Sequence, residues 1–146
     1  MSDQFQQLVK EGIAALNSGN SYLALKNFEE AAEIDESPEL LSYLAYCLAK
    51  EKNDFSRAIA LGKVALEEEP WNSVHYLNLG RIYLLSGQRK DAINTFRDGL
   101  LHENNSKIKN ELSRLGIRRY PVFASLPREH FLNRFIGKLF SKLKIR

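Results

Sequence analysis

The chain has 146 residues, 44% hydrophobic and 27% charged, with a formal net charge of +3. That composition supports one domain, or one short repeat array, with a continuous core, and it excludes disorder throughout. Cys47 is the only cysteine, so no intramolecular disulfide can form, and the best apolar run, Tyr43 to Ala49, is far short of a membrane span.

The polar, acidic start MSDQFQQLVKEG lacks the basic-then-apolar layout of a secretory signal. With the lone cysteine it points to a cytoplasmic location. The net charge conceals a segregation. Residues 1–106 carry ten Lys/Arg against sixteen Asp/Glu, and residues 107–146 carry eleven Lys/Arg against Glu111 and Glu129 alone. Two segments so different in charge are expected to meet different surfaces, or each other.

Taken in chain order, apolar residues at i, i+3, i+4 and i+7 predict helices near 3–17, 21–34, 38–50, 55–68, 72–85 and 89–102. A further helix, 107–116, is capped by Asn105 or Ser106, carries Ile108, Leu112 and Leu115 on one face, and is ended by Gly116. It is expected to solvate the end of the array. An extended connector, 117–126, contains Pro121. An amphipathic helix over 127–146 then sets Phe131, Leu132, Phe135, Ile136, Leu139, Phe140 and Leu143 beside a basic stripe of Arg134, Lys138 and Lys142.

The predicted helices come in pairs that repeat. Ala24, Ala58 and Ala92 are 34 residues apart, as are Phe28, Gly62 and Phe96, then Ala31, Ala65 and Gly99, and also Gly19, Asn53 and Gly87. The upstream halves align as Leu8/Glu11/Gly12/Ala15, Leu41/Leu44/Ala45/Leu48 and Tyr76/Leu79/Gly80/Tyr83. The middle unit sits one residue early there, which places an extra residue in its turn, Glu51-Lys52-Asn53-Asp54. Small residues at Gly12, Ala45 and Gly80 let paired helices approach closely, and Phe28, Tyr83 and Phe96 fill the space between pairs. Pro38 and Pro70 fall at unit boundaries.

This pattern resembles the tetratricopeptide repeat. The third unit follows it best, with Leu79-Gly80, Tyr83, Gly87, Ala92, Phe96 and Leu100; the first departs at Glu11 and the second at Gly62. The resemblance covers about residues 5–106, as repeats at 5–38, 39–72 and 73–106, with 107–146 as a basic C-terminal extension. It implies an all-α, right-handed superhelix of antiparallel helix pairs followed by capping and amphipathic helices.

It also implies a concave groove lined by the first helix of each pair: Val9, Ile13 and Leu16; Ser42, Tyr46 and Ala49; Leu77, Arg81 and Leu84. Some repeats of this kind clamp a terminal carboxylate with Lys and Asn. The clamp positions here hold Val9, Ile13, Tyr43 and Val74, so that mode is rejected. An apolar groove with Arg81 as its main charge suits an amphipathic helix or apolar strand.

No catalytic, cofactor or metal site is expected. His75, His102 and His130 lack ligand spacing and are assigned solvent-facing or cap positions. Cys47 reads as a small core or groove residue rather than a nucleophile, and Glu67-Glu68-Glu69 as a solvated helix end. No phosphate-cradling glycine motif occurs. The leading function is a protein-binding adaptor or scaffold. The alternatives are a factor that associates with membrane or nucleic acid through its basic tail, and a secretion-type chaperone. Nucleic acid is disfavoured, since Arg118-Arg119 alone is a weak phosphate grip. The apolar face of 127–146 has three sinks: its own array, a second copy, or an anionic membrane.

Overall fold

The computed structural model describes residues 2–116. The connector 117–126 and the amphipathic helix 127–146, with Phe131, Arg134, Phe135, Ile136, Lys138, Leu139, Phe140 and Lys142, lie outside the described residues. Within them the chain forms α1 (Asp3–Asn17), α2 (Ser21–Ala32), α3 (Pro38–Lys52), α4 (Phe55–Glu68), α5 (Ser73–Leu85), α6 (Arg89–His102) and α7 (Ser106–Arg114), with no strand. One compact unit ends at Leu112, within α7.

Local chemistry sets the helix boundaries. Ser2, Asn20, Ser37, Asp54 and Asn72 each accept a backbone N–H in the first turn of the helix they precede. Pro38 stands just inside α3, where its missing N–H costs nothing. Asn105 caps α7, its Oδ1 accepting from the backbone N–H of Lys107 at 2.9 Å and Ile108 at 3.2 Å. Gly116 follows α7 at φ +70°.

The turns within pairs differ from expectation. Gly19 and Gly87 take φ +83° and +80°, conformations that cost glycine little, and Asn53 takes the same role at φ +53°. In the outer two turns a serine precedes the glycine and back-bonds to its own helix: Ser18 Oγ donates to the Ala15 carbonyl and Ser86 Oγ to that of Tyr83. The middle turn has no such serine. Its extra residue enters α3, which runs on through Glu51 and Lys52, so this turn is the shortest of the three rather than the longest. The added helical residues have partners: Glu51 accepts from Ser21 Oγ, and Lys52 pairs with Glu29.

Each pair is an antiparallel hairpin, α1 with α2, α3 with α4 and α5 with α6. In the outer hairpins the contact is glycine against phenylalanine. A Cβ at Gly12 would lie 2.4 Å from the Phe28 ring, and one at Gly80 would lie 2.3 Å from the Phe96 ring. Both rings are fully buried. Truncating either to alanine would cost about 3–5 kcal/mol. The middle hairpin has Ala45 and Gly62 instead, and Leu79 of the next unit reaches to 3.1 Å from the Gly62 Cβ position.

Neighbouring hairpins are joined in two ways. Between the second and third, α3 packs directly on α5, and Asn78 Nδ2 donates to Ser42 Oγ at 3.0 Å in a buried bond. Between the first and second, α2 packs on α3 while α1 makes no comparable contact with α3. The ties of that junction, Ser21–Glu51 and Glu29–Lys52, run from α2 to the far end of α3.

Candidate protein-binding face

The face formed by α1, α3, α5 and α7 carries the residues singled out in the sequence, and burial divides them. Val9, Ser42, Ala49 and Leu77 are all buried, at 6% exposure or less. They pack between helices, so as surface contacts for a partner they are corrected: only their half-buried neighbours Ile13, Leu16, Tyr46, Arg81 and Leu84 remain accessible. Ser42 in particular is occupied by its bond to Asn78.

Arg81 is not an open charge. Its Nε donates to Glu111 Oε1 at 2.7 Å, and its guanidinium lies 5.6 Å from the centre of the Tyr46 ring. The Lys50 ammonium stands over the same ring at 5.8 Å. One side chain of α5 therefore ties α3 to α7, through a cation–π contact on one side and an ion pair on the other. Sequence reasoning misses Glu111. The signal that could have found it is register: Tyr43, Asn78 and Glu111 occupy the same position of successive first helices.

Towards the start of these helices the face opens into a cleft of about 630 Å³ between α1 and the N-terminal end of α3. Phe5, Val9, Ile13 and Pro38 give it an apolar lining. Asp3, Glu39 and Glu69 stand around it with Lys10. The cleft exists because α1 does not close on α3. The position that holds Asn78 at the next junction holds Tyr43 here, whose ring stacks on Phe28 at 5.7 Å. Burial pushes the Tyr43 phenol up, as does the nearby Glu39 carboxylate, while Arg81 opposes both.

His75 is corrected from its expected surface role, and Glu69, still partly exposed, is its partner. His75 is 1% exposed. Its Nε2–H donates to Glu69 Oε2 at 3.0 Å, and Asn72 Nδ2 donates to the same oxygen at 3.0 Å. The bond from Asn72, then that from His75, holds the Glu69 carboxyl below the usual carboxylate range. Glu67 and Glu68 remain exposed or nearly so. His102 is exposed and stacks on Tyr76, with ring centroids 5.2 Å apart.

Nothing in this arrangement activates a nucleophile. Cys47 is fully buried, and desolvation pushes its thiol up to about 12, with Glu51 adding to the shift. Among the described residues no cluster of His, Cys, Asp and Glu is placed to hold a metal ion, and no helix is long and apolar enough to cross a membrane.

Paired helices in a 34-residue register, with glycine against phenylalanine inside each outer hairpin, match a known repeat. Residues 49–115 match the family model for the tetratricopeptide repeat. The chain has an all-α, tetratricopeptide-type fold. The fold agrees along most of its length. It is similar to the tetratricopeptide domain of Sgt2 from Aspergillus fumigatus, at TM-score 0.64 and 21% identity, over 79% of this chain and 78% of that one. It is also similar to the first tetratricopeptide domain of Spaghetti (RPAP3), bound to the HSP90 peptide SRMEEVD, at TM-score 0.62 and 19% identity over 80% and 93%. A third likeness is to SycD, the type III secretion translocator chaperone of Yersinia enterocolitica, at TM-score 0.59 and 18% identity over 80% and 89%. No curated protein matches the sequence. α7 follows the first helices in register: Leu40, His75 and Ile108 correspond, as do Leu44, Leu79 and Leu112, all buried.

Proposed function

We propose that the protein is an adaptor that holds an apolar or amphipathic segment of a partner protein on the face formed by α1, α3 and α5. The observation that supports this best is the state of the charges there. Arg81 is already matched by Glu111 and covered by Tyr46, so half-buried Ile13, Leu16, Tyr46 and Leu84 are accessible, with exposed Lys50 beside the Tyr46 ring. A half-covered aromatic side chain such as Tyr46 is a typical anchor of an interface. The positions that would clamp a terminal carboxylate hold Val9, Ile13, Tyr43 and Val74, none of which carries a positive charge to pair with one.

A photo-reactive benzoylphenylalanine placed at Tyr46 should crosslink to the partner segment in cells. The same group at Lys63, exposed on α4, should not. Equal crosslinking from both positions, or crosslinking from Lys63 alone, would move the binding surface elsewhere. Ile13→Asp and Leu84→Asp should each weaken capture while helicity is unchanged.

A further inference from the structure

We infer that the cleft between α1 and α3 selects a cationic stretch of the bound segment, with lysine or arginine side chains reaching Glu69 and Glu39 while apolar ones lie along Ile13 and Pro38. The inference rests on the reading that this face holds a partner segment, and it specifies that segment's charge. The cleft, about 630 Å³, presents three carboxylates, Asp3, Glu39 and Glu69, against the single cation Lys10 among its lining residues. Asp3 and Glu39 are exposed at its rim.

Glu69 differs from the other two in being held in place. Asn72 and His75 both bind its Oε2, so the carboxylate keeps one orientation, and Oε1 takes neither bond. A carboxylate fixed before binding loses less side-chain freedom when it receives a cation. Further along the face the charges are of the other kind. Lys50 and Arg81 gather on Tyr46, and Arg81 is matched by Glu111. Complementarity therefore favours a segment that is basic where it meets the N-terminal end of α3, and uncharged or acidic beyond it. An acidic segment in the cleft would meet like charge.

Fluorescence anisotropy on the full chain, with labelled nonapeptides that alternate Leu-Lys, Leu-Gln or Leu-Glu, tests the idea. The Leu-Lys peptide should bind most tightly and lose affinity as NaCl rises from about 50 to about 500 mM. Glu69→Gln combined with Glu39→Gln should weaken it by roughly tenfold, while Glu67→Gln combined with Glu68→Gln, outside the cleft, should leave it unchanged. Glutamine at 69 still offers an acceptor to Asn72 and His75, so circular dichroism should show the fold intact. Equal affinity for Leu-Gln and Leu-Lys would overturn the charge preference and keep the groove. Tighter binding of Leu-Glu, or insensitivity to the cleft double variant, would also overturn it. If none of the three peptides binds, the groove reading falls with it.

Discussion

At both junctions between successive hairpins the second helix of one pair packs on the first helix of the next, but only one junction also brings the first helices together. Between the second and third, the first helices meet directly: Ser42 and Asn78 bond inside the interface, and Arg81 reaches Tyr46. Between the first and second, the ties run from α2 to α3, and α1 is left standing away. One junction thus gives a sealed face, the other a cleft. Repeat proteins stabilise largely through nearest-neighbour interfaces, so where an interface is fastened decides where a groove can open. The period of 34 residues sets the hairpins; the residues at two or three columns set the opening.

The most severe way to break this contrast lies in the column Ala31/Ala65/Gly99. In the first two units an alanine side chain is already accommodated, fully buried. At the closed end of the array there is no room. A Cβ on Gly99 would sit 2.6 Å from Tyr76 Cβ and 2.8 Å from Ile108 Cδ1. Gly99→Ala should therefore destabilise by about 1–3 kcal/mol or more, read from urea denaturation. Ala31→Gly should lose only about 1 kcal/mol through helix propensity and a small void. Similar losses in the two would mean that the two ends are packed alike.

Next in size is the buried tie itself. Asn78→Ala leaves Ser42 Oγ inside the interface without its donor, at a cost of about 1–3 kcal/mol. Adding Ser42→Ala should recover part of that, giving a coupling measurable in a double-mutant cycle. Additive losses would show that the pair contributes nothing beyond its packing. Smaller again is the Arg81 pair, since Arg81 is 28% and Glu111 12% exposed. Arg81→Glu should lower stability by up to about 1 kcal/mol through repulsion from Glu111, and Glu111→Arg in the same chain should restore it. A binding defect in Arg81→Glu alone would then report a damaged α5–α7 contact as much as a lost partner.

Much of the fold was legible because its determinants are local. Gly19, Asn53 and Gly87 mark the turns by a backbone conformation that few residues tolerate. Gly12 and Gly80 mark the close hairpins by size, although Phe28 and Phe96, expected between pairs, pack inside them against those glycines. The site was less legible because its determinants are pairwise and distant. Periodicity places Ser42 and Leu77 on the inner helices, but it does not say that each is consumed by a neighbour. Arg81 reads as a groove charge until Glu111, 30 residues away, is seen to neutralise it. His75 could have been found: it stands in the column of Leu40 and Ile108, both fully buried, where a solvent-facing histidine has no place.

The smallest effect concerns acid and sharpens the picture of the cleft. Bonds from Asn72 and His75 hold the Glu69 carboxyl below its ordinary value of 4.5. A carboxyl depressed on folding stabilises the native state above its unfolded pKa, and that contribution disappears as pH falls through the folded one. Glu69 is near the surface, so its share is small and screened. Even so, it has a sign. Glu69→Gln should be less stable than the natural chain at neutral pH, with the gap closing as pH drops through and below the ordinary carboxylate range. Urea midpoints measured in steps from neutral pH to about pH 3 would follow it. A gap that stayed constant with pH would mean that Asn72 and His75 favour the protonated and ionised carboxyl equally. Glu69 would then not be the pre-set acceptor that a cationic segment requires.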